Sequence, residues 1–444
     1  MKNKLSLGRA VLFSTGSIST NIMAITVSTW LMFTYAPPPD SGRPTLIPLG
    51  IIGVILAIGS IFNAVIDPFL GHWSDTRRGK WGRRRPFIIF FLPLSALLMM
   101  VIWTPPVQSM SVVNTVYLTC VILFYYLAHS AWQIPYDAAL PEMAVVPQDR
   151  VTLSTWKSVF ALVGVLVGAF ASGMLYNSAL GPFGMGVVVG IAAIIGGLLT
   201  LLGLREKKAD EVGEALPVWK GILATFRNKQ FVSLFMATIF VQAAYGMLVV
   251  NLPYFVTTVL GKSSDFVSII MGIVILVMAG MTFVWSYFGK KYALRKLWRI
   301  ATIAIAIFYA ASFIIGAVKG TVSIVMTFIF FPLIGVALAG SHMFPYAMMG
   351  SVADYDELKT KTRREAAYYG AFSLAVEGGP AIATLILPFL YNTFGYTQAN
   401  PLGVRLAFLL IGVLAGLGVF FFRKYQLGDT PEAVKEFAEN EGKA

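Results

Sequence analysis

The sequence predicts an all-α membrane protein of twelve transmembrane helices, arranged as two halves of six. Three observations carry that expectation. Apolar residues make up 57% of the 444 and charged residues only 12%, where soluble domains carry roughly 25% charged. The apolar residues gather into twelve runs, each near the roughly 20 residues a helix needs to cross hydrocarbon. When these runs are threaded through a bilayer, all but five of the 34 Lys and Arg fall on one side. Arg43, Lys262, Lys319 and Arg405 take the other face, and Lys157 lies inside a span. Short cytoplasmic loops are rich in Lys and Arg because moving those charges across the hydrocarbon is costly. The expected placement is therefore multi-pass in the cell (inner) membrane, with both termini cytoplasmic.

The spans are expected at 10–35, 47–72, 86–104, 112–138, 153–177, 183–204, 231–258, 265–288, 299–317, 321–349, 367–392 and 403–422. The first is too long and too polar for a cleaved leader and has no small-residue cleavage pattern. A charged connector over 205–230 separates an N-terminal six-helix bundle, 1–204, from a C-terminal one, 231–422, and a cytoplasmic tail covers 423–444. The halves echo each other. Gly71-His-Trp-Ser-Asp75, followed by Arg77, Arg78, Lys80 and Gly82-Arg83-Arg84-Arg85, closes the second span of the first half. Gly289-Lys290-Lys291 and then Arg295-Lys296 close the second span of the other. Basic turns at matching places are the internal symmetry of a repeat-built transporter; any cytoplasmic turn is also expected to be basic.

Composition excludes several classes. The net charge of +13 flanks apolar spans, so topology and contact with anionic membrane lipid explain it, and no nucleic-acid partner is expected. The single Cys120 forbids an internal disulfide or a cysteine metal cluster. His72, His129 and His342 form no His-x-x-x-His pattern, and no Gly-x-Ser-x-Gly elbow or phosphate loop occurs. An enzyme is therefore not expected, nor a resident metal or cofactor. A monomer is expected.

Polar residues inside the spans mark candidate sites. In the first span Ser14, Ser17, Asn21 and Ser28 share a face, as helix-packing contacts or as the wall of a wet cavity. In the second, Ser60, Asn63 and Asp67 share a face and Pro68 follows. Proline cannot donate to the carbonyl four residues back, so the helix is expected to bend and free that oxygen. A carboxylate, an amide and a free carbonyl make a cation or proton site; the alternative is that Asp67 pairs with the basic turn below it. The fourth span sets Tyr126, His129, Gln133 and Tyr136 at spacings of three, four and three, with Trp132 alongside and Pro135 bending the helix. Aromatic faces beside amides suit the apolar face and hydroxyl rim of a sugar, and equally suit packing. The seventh span adds Gln242 and Tyr245. Lys157 lies one turn into the fifth span; Glu377 lies mid-way along the eleventh, on a face with Tyr369 and Ser373. A buried lone carboxylate tends to take up a proton, so Glu377 calls for a partner or a proton-handling role. Lys157, from the opposite half, is a candidate partner.

Longer motifs carry a resemblance. Asn63-Ala-Val-Ile-Asp67-Pro68-Phe-Leu-Gly71-His-Trp-Ser-Asp75 running into Trp81-Gly82-Arg83-Arg84-Arg85-Pro86 resembles the second helix and turn of the glycoside–pentoside–hexuronide:cation symporters. These are the melibiose-permease branch of the major facilitator superfamily. Gln133-Ile-Pro-Tyr136 with Leu140-Pro-Glu142 and Asp149-Arg150 resembles that family's fourth helix and loop. Val352-Ala-Asp354-Tyr-Asp356-Glu-Leu-Lys359 with Arg364-Glu365 resembles its loop after the tenth. The run Gly82–Ile88 is also similar to the sucrose carriers. The resemblance implies the major facilitator fold, two six-helix bundles with a central site open alternately to each side. It also implies symport of a sugar or glycoside with a co-transported H+ or Na+. Melibiose permease's cation-site acidic residues fall at Asn21, Asn63, Asp67 and Gln133, so only Asp67 keeps its carboxylate. A sugar-binding arginine falls at Lys157, which loses the planar fork, and a lysine falls at Glu377.

The cation-coupling set is therefore Asp67, Asn63, Asn21, Gln133 and Glu377. The substrate-binding set is Asn21, Tyr126, His129, Trp132, Gln133, Lys157, Gln242, Tyr245, Tyr369, Ser373 and Glu377. Gly71, Asp75, Arg83, Arg84 and Arg85 are expected to latch cytoplasmic helix ends. Asp354, Asp356 and Glu357 are expected to meet basic partners at the same surface. The alternative cargo is an amphipathic lipid such as a lysophospholipid, carried by symporters of the same family.

Overall fold

A computed structural model describes residues 6–77, 81–144, 147–206, 218–318, 320–361 and 364–441. Within these, the side chains at 75, 141, 142, 147, 148, 150, 151, 218–220, 365, 366 and 441 lie outside the description. The chain divides into two compact units. The first is Met1–Leu216 with Ser263–Gly272, and the second is Pro217–Lys262 with Ile273–Ala444.

The first unit contains α1 (Leu7–Ser14), α2 (Gly16–Tyr35), α3 (Leu49–Thr76), α4 (Arg85–Ile102), α5 (Val112–Ala138), α6 (Leu140–Met143), α7 (Pro147–Asn177) and α8 (Gly181–Gly203). The first expected span is thus two helices that meet at Thr15. The Thr15 hydroxyl contacts its own helix at the Leu12 carbonyl and α8 at the Gly196 carbonyl, each at 2.7 Å. A local hydroxyl competing for helix carbonyls is a recognised cause of such breaks, and hydropathy alone does not register it.

In the second unit, α9 (Val218–Thr225) lies inside the expected connector, followed by α10 (Lys229–Tyr254), the part of α11 (Phe266–Gly289) from Ile273 onward, α12 (Leu294–Ser312), α13 (Thr321–Thr360), α14 (Glu365–Phe394), α15 (Leu402–Phe422) and α16 (Pro431–Glu441). Asn228 caps α10, its side-chain oxygen accepting from Gln230 and Phe231 N–H. The ninth span, expected at 299–317, begins five residues earlier and ends five earlier. Its first amide, Leu294 N–H, donates to the Asp429 carboxylate at 2.8 Å, which lets the helix start among basic residues. The terminal segment is also ordered against the unit: Val434 is buried and Phe437 meets Tyr355, a ring on α13.

Eleven spans among the described residues are long and apolar enough to cross a membrane. The exception is α12, whose first six residues hold Arg295, Lys296 and Arg299. Exposed apolar stripes mark the faces turned outward. On α3, Ile51, Val54, Ile58, Ile61, Val65 and Phe69 are exposed at three- and four-residue spacing, the period of one helix face.

Candidate functional site

In the first unit, Asp67 lies off that outward stripe of α3. It is half-buried on the same face as half-buried Ser60 and buried Asn63, and Pro68 sits inside the continuous helix. Pro68 removes the donor that would claim the Ala64 carbonyl. Asn63 is fixed by α5: its Oδ1 accepts from the Ser130 hydroxyl at 2.8 Å. Tyr126, also on α5, packs where α3 has no side chain; a Cβ on Gly59 would meet its ring at 2.8 Å. Ser130 and Tyr126 of α5 thus meet α3 at Asn63 and Gly59.

Further along α5, His129 stacks on Tyr125 and meets Trp132 edge-on, with ring centroids 5.5 and 5.7 Å apart. Gln133 hydrogen-bonds His129, and the buried His129 Nδ1 has no hydrogen-bond partner. Trp132 is fully buried, so in this conformation it packs against its neighbours rather than presenting a face. Asn21 donates to the Ser17 carbonyl at 2.8 Å. Ser17 in turn hydrogen-bonds the Tyr136 hydroxyl at 2.9 Å.

Lys157 has an ion-pair partner within its own unit. Its ammonium donates to Asp137 Oδ1 at 2.6 Å, within its own unit, and stands 4.4 Å from the centre of the Tyr136 ring. Asp137, one turn past Gln133 on α5, is thus a carboxylate partner of Lys157 inside the first unit. Side-chain exposures of 16% for Lys157 and 48% for Asp137 make this a partly desolvated pair, stronger than a surface ion pair and weaker than a fully buried one. Asp137 was hidden in the sequence because it directly follows Tyr136 and reads as part of the basic, loop-facing end.

In the second unit, Gln242 lines a small cavity of about 10 Å³, room for about one water. It shares that lining with Thr238, Ser341, His342 and Tyr346. Tyr245 meets the His342 ring edge-on at 4.9 Å. His342 Nδ1 is 3.1 Å from the Leu338 carbonyl, and its buried Nε2 and the Thr238 hydroxyl have no hydrogen-bond partner. Tyr369 donates to the Tyr346 carbonyl at 3.4 Å and Ser373 to the Gly370 carbonyl at 2.8 Å. Half-buried Glu377 lies close enough to Tyr346 to act on it electrostatically. His342 went unselected by sequence reasoning. The available signal was a repeated Pro-Tyr pair: Pro135-Tyr136 on α5 and Pro345-Tyr346 on α13, with Trp132 and His342 each three residues before the proline.

The basic turn works through its backbone. Glu206, just past α8, accepts from the main-chain N–H of Arg83, Arg84 and Arg85 at 2.6, 3.0 and 2.7 Å. These are the free amides at the start of α4, where the helix dipole favours an anion. Gly82 has φ +93, and a Cβ there would lie 2.8 Å from the Glu206 carboxylate, so only glycine fits. Gly71 is half-buried on α3, and the Asp75 side chain lies outside the described residues. At the corresponding end of the second unit, Asp356 pairs with Arg364 at 3.2 Å, while Asp354 and Glu357 are exposed. Among the described residues no group of three His, Cys, Asp or Glu converges as a metal site.

Comparison with known proteins then settles the family. Residues 12–429 match the model of the MFS/sugar transport protein family. The chain belongs to that family. It has the major facilitator fold, and it is a multi-pass membrane transporter, a kinship with carriers and not with enzymes. The sodium-dependent lysophosphatidylcholine symporter 1 of Gallus gallus is 24% identical over 426 residues, covering 85% of this chain and 79% of that protein. A putative sulfoquinovose importer of Escherichia coli K12 is 23% identical over 448 residues, covering 94% and 91%. A crystal structure of a nucleoside transporter superposes with a TM-score of 0.70 at 15% identity, covering 94% of this chain and all of that one.

Proposed function

We propose that this transporter imports a sugar or glycoside by symport with a proton or sodium ion, within the glycoside–pentoside–hexuronide:cation branch. Asp67 is the coupling carboxylate. The observation that carries this reading is the α3–α5 contact: Asp67 stands beside Pro68, off the outward apolar stripe, one turn from an Asn63 held by Ser130. An ionisable group kept inside a span away from lipid is costly, and its retention marks an ion or proton path. Cation binding there shifts the balance between two access states, and alternate exposure of a mid-membrane site moves the cargo. Lys157, ordered by Asp137 and Tyr136, supplies a directional donor to the cargo. Tyr126, Gln133, Gln242 and Glu377 supply further polar contacts.

The kinship with the chicken lysophosphatidylcholine symporter favours one second reading, an amphipathic lipid cargo. The amides and aromatics on α5 suit hydroxyl-rich cargo better. Uptake into proteoliposomes decides between them, with labelled mono- and disaccharides and a labelled lysophospholipid offered under separately imposed sodium and proton gradients. Gradient-dependent accumulation of a saccharide is the expected result; accumulation of the lysophospholipid alone would overturn the sugar reading.

A further inference from the structure

At the end of the first unit that carries the basic turns, three arginines converge on one recess. Arg9 on α1, Arg85 at the start of α4 and Arg205 just after α8 line a recess of about 370 Å³, floored by Leu202 and Leu204. Their convergence is built into the backbone. A Cβ on Gly203 would lie 2.7 Å from the Arg9 carbonyl oxygen and 2.4 Å from Phe13 N, so glycine lets α1 and the end of α8 touch. The third arginine is tied in by its own side chain, Arg85 Nη2 donating to the Leu204 carbonyl at 2.9 Å.

Among the described residues no acid lines the recess. The adjacent Glu206 turns both carboxylate oxygens to the backbone of Arg83, Arg84 and Arg85, so three of its roughly four acceptor positions are taken there. Arg9, Arg85 and Arg205 are all exposed. Beside them stand two apolar side chains, Leu7 at 60% exposure and Leu202 at 69%. Guanidinium groups over exposed leucines at the ends of spanning helices match a molecule with a phosphate above and acyl chains below.

We infer that this recess binds the phosphate of an anionic phospholipid headgroup. Guanidinium forks grip phosphate oxygens in a planar, paired geometry that ammonium groups do not reproduce. The leucines lie along the acyl chains. This lipid is a resident of the helix ends, separate from any transported cargo.

Native mass spectrometry of the full-length protein in detergent tests the inference, with phosphatidylglycerol, phosphatidylcholine and inorganic phosphate added in separate arms. The unmodified protein is expected to retain phosphatidylglycerol through detergent exchange and to release phosphatidylcholine. Arg9→Gln with Arg205→Gln should weaken retention roughly 30-fold. Arg9→Lys with Arg205→Lys keeps the charge and should fall between, which separates lost binding from lost folding. Lys290→Gln with Lys291→Gln, on the basic turn of the other unit, should leave retention unchanged. Equal loss in that control would overturn the inference in favour of diffuse surface charge. Equal retention of phosphatidylcholine would overturn it too, as would occupancy by inorganic phosphate without retention of the lipid.

Discussion

The two units repeat one set of contacts and fill it with different chemistry. In the first, Gly164 on α7 admits α2: a Cβ there would meet Ile18 Cα at 2.8 Å and Asn21 Cβ at 3.1 Å. In the second, Gly379 on α14 admits α10: a Cβ there would meet Gln242 Cβ at 2.6 Å and the Ile239 carbonyl at 2.8 Å. Seven residues before each glycine a side chain rests on the tyrosine of a Pro-Tyr pair. Lys157 lies over Tyr136 in one unit, and Phe372 meets Tyr346 edge-on at 5.3 Å in the other. After those tyrosines come Asp137 and Ala347. Four residues before the glycine that opens each basic turn stand Asp67 and Trp285, and the Trp285 indole simply donates to the Val336 carbonyl at 2.8 Å. The shared glycine contacts and tyrosines are scaffold. At these matched positions the acid and the ion pair stand only in the first unit, the unit in which the proposed coupling carboxylate lies.

The strongest attack on that division is Asp67→Asn. Gradient-driven accumulation in proteoliposomes should fall to the level set by passive equilibration, while exchange of labelled for unlabelled cargo persists. Trp285→Phe, at the matching position, should leave accumulation within about fivefold, since one hydrogen bond contributes about 1 kcal/mol. Full accumulation by the asparagine variant would remove Asp67 from the coupling scheme.

Scaffold equivalence is tested next by Gly164→Ala and Gly379→Ala. Both added methyls would crowd neighbouring backbone, at 2.8 Å in each case, and overpacking of this kind costs about 1–3 kcal/mol. Thermal unfolding in one detergent should show two losses of similar size. A large loss in one unit beside none in the other would break the comparison.

Much of this division was already legible in the chain, for physical reasons. A bilayer requires long apolar helices and penalises buried charge, so spans, basic turns and the placing of Asp67 within an apolar run stand out in one dimension. Asn63 and Tyr126 were legible through spacing, because helical periodicity sets which residues share a face. Contacts across many residues were not. Asp137 meets Lys157 from a different helix, and Glu206 reaches Arg83 over 123 residues. No local pattern encodes either. The break at Thr15 and the early start of α12 were missed for the same reason, since Gly196 and Asp429 decide them from afar.

The ion pair offers a smaller, sharper test. Asp137→Ala alone leaves the largely buried Lys157 ammonium without its carboxylate and should cost about 1–2 kcal/mol, the exposure of Asp137 limiting the loss. Asp137→Ala with Lys157→Phe rebuilds the Phe372–Ala347 arrangement of the second unit. Stability should return to within about 1 kcal/mol of the parent, because well-packed apolar groups often replace an ion pair without penalty. Uptake should remain lost. Recovery of uptake along with stability would show that the pair is only structural.

The mildest contrast lies at the helix starts. Glu206 accepts three main-chain amides ahead of α4, whereas Asp429 accepts one from Leu294 at the start of α12. Both carboxylates sit at the positive end of a helix dipole, so each stabilises, but bond number sets how much. Glu206→Ala should cost about 1–2 kcal/mol and Asp429→Ala about 0.5–1 kcal/mol, read as unfolding temperature in detergent. Glu206→Gln keeps one acceptor oxygen and loses the charge, so its loss should fall between those of the parent and the alanine variant. Equal shifts for Glu206→Ala and Asp429→Ala would mean that the charge, and not the bonded geometry, holds both turns. The sharp glycine turn at Gly82 would then be a consequence of packing alone.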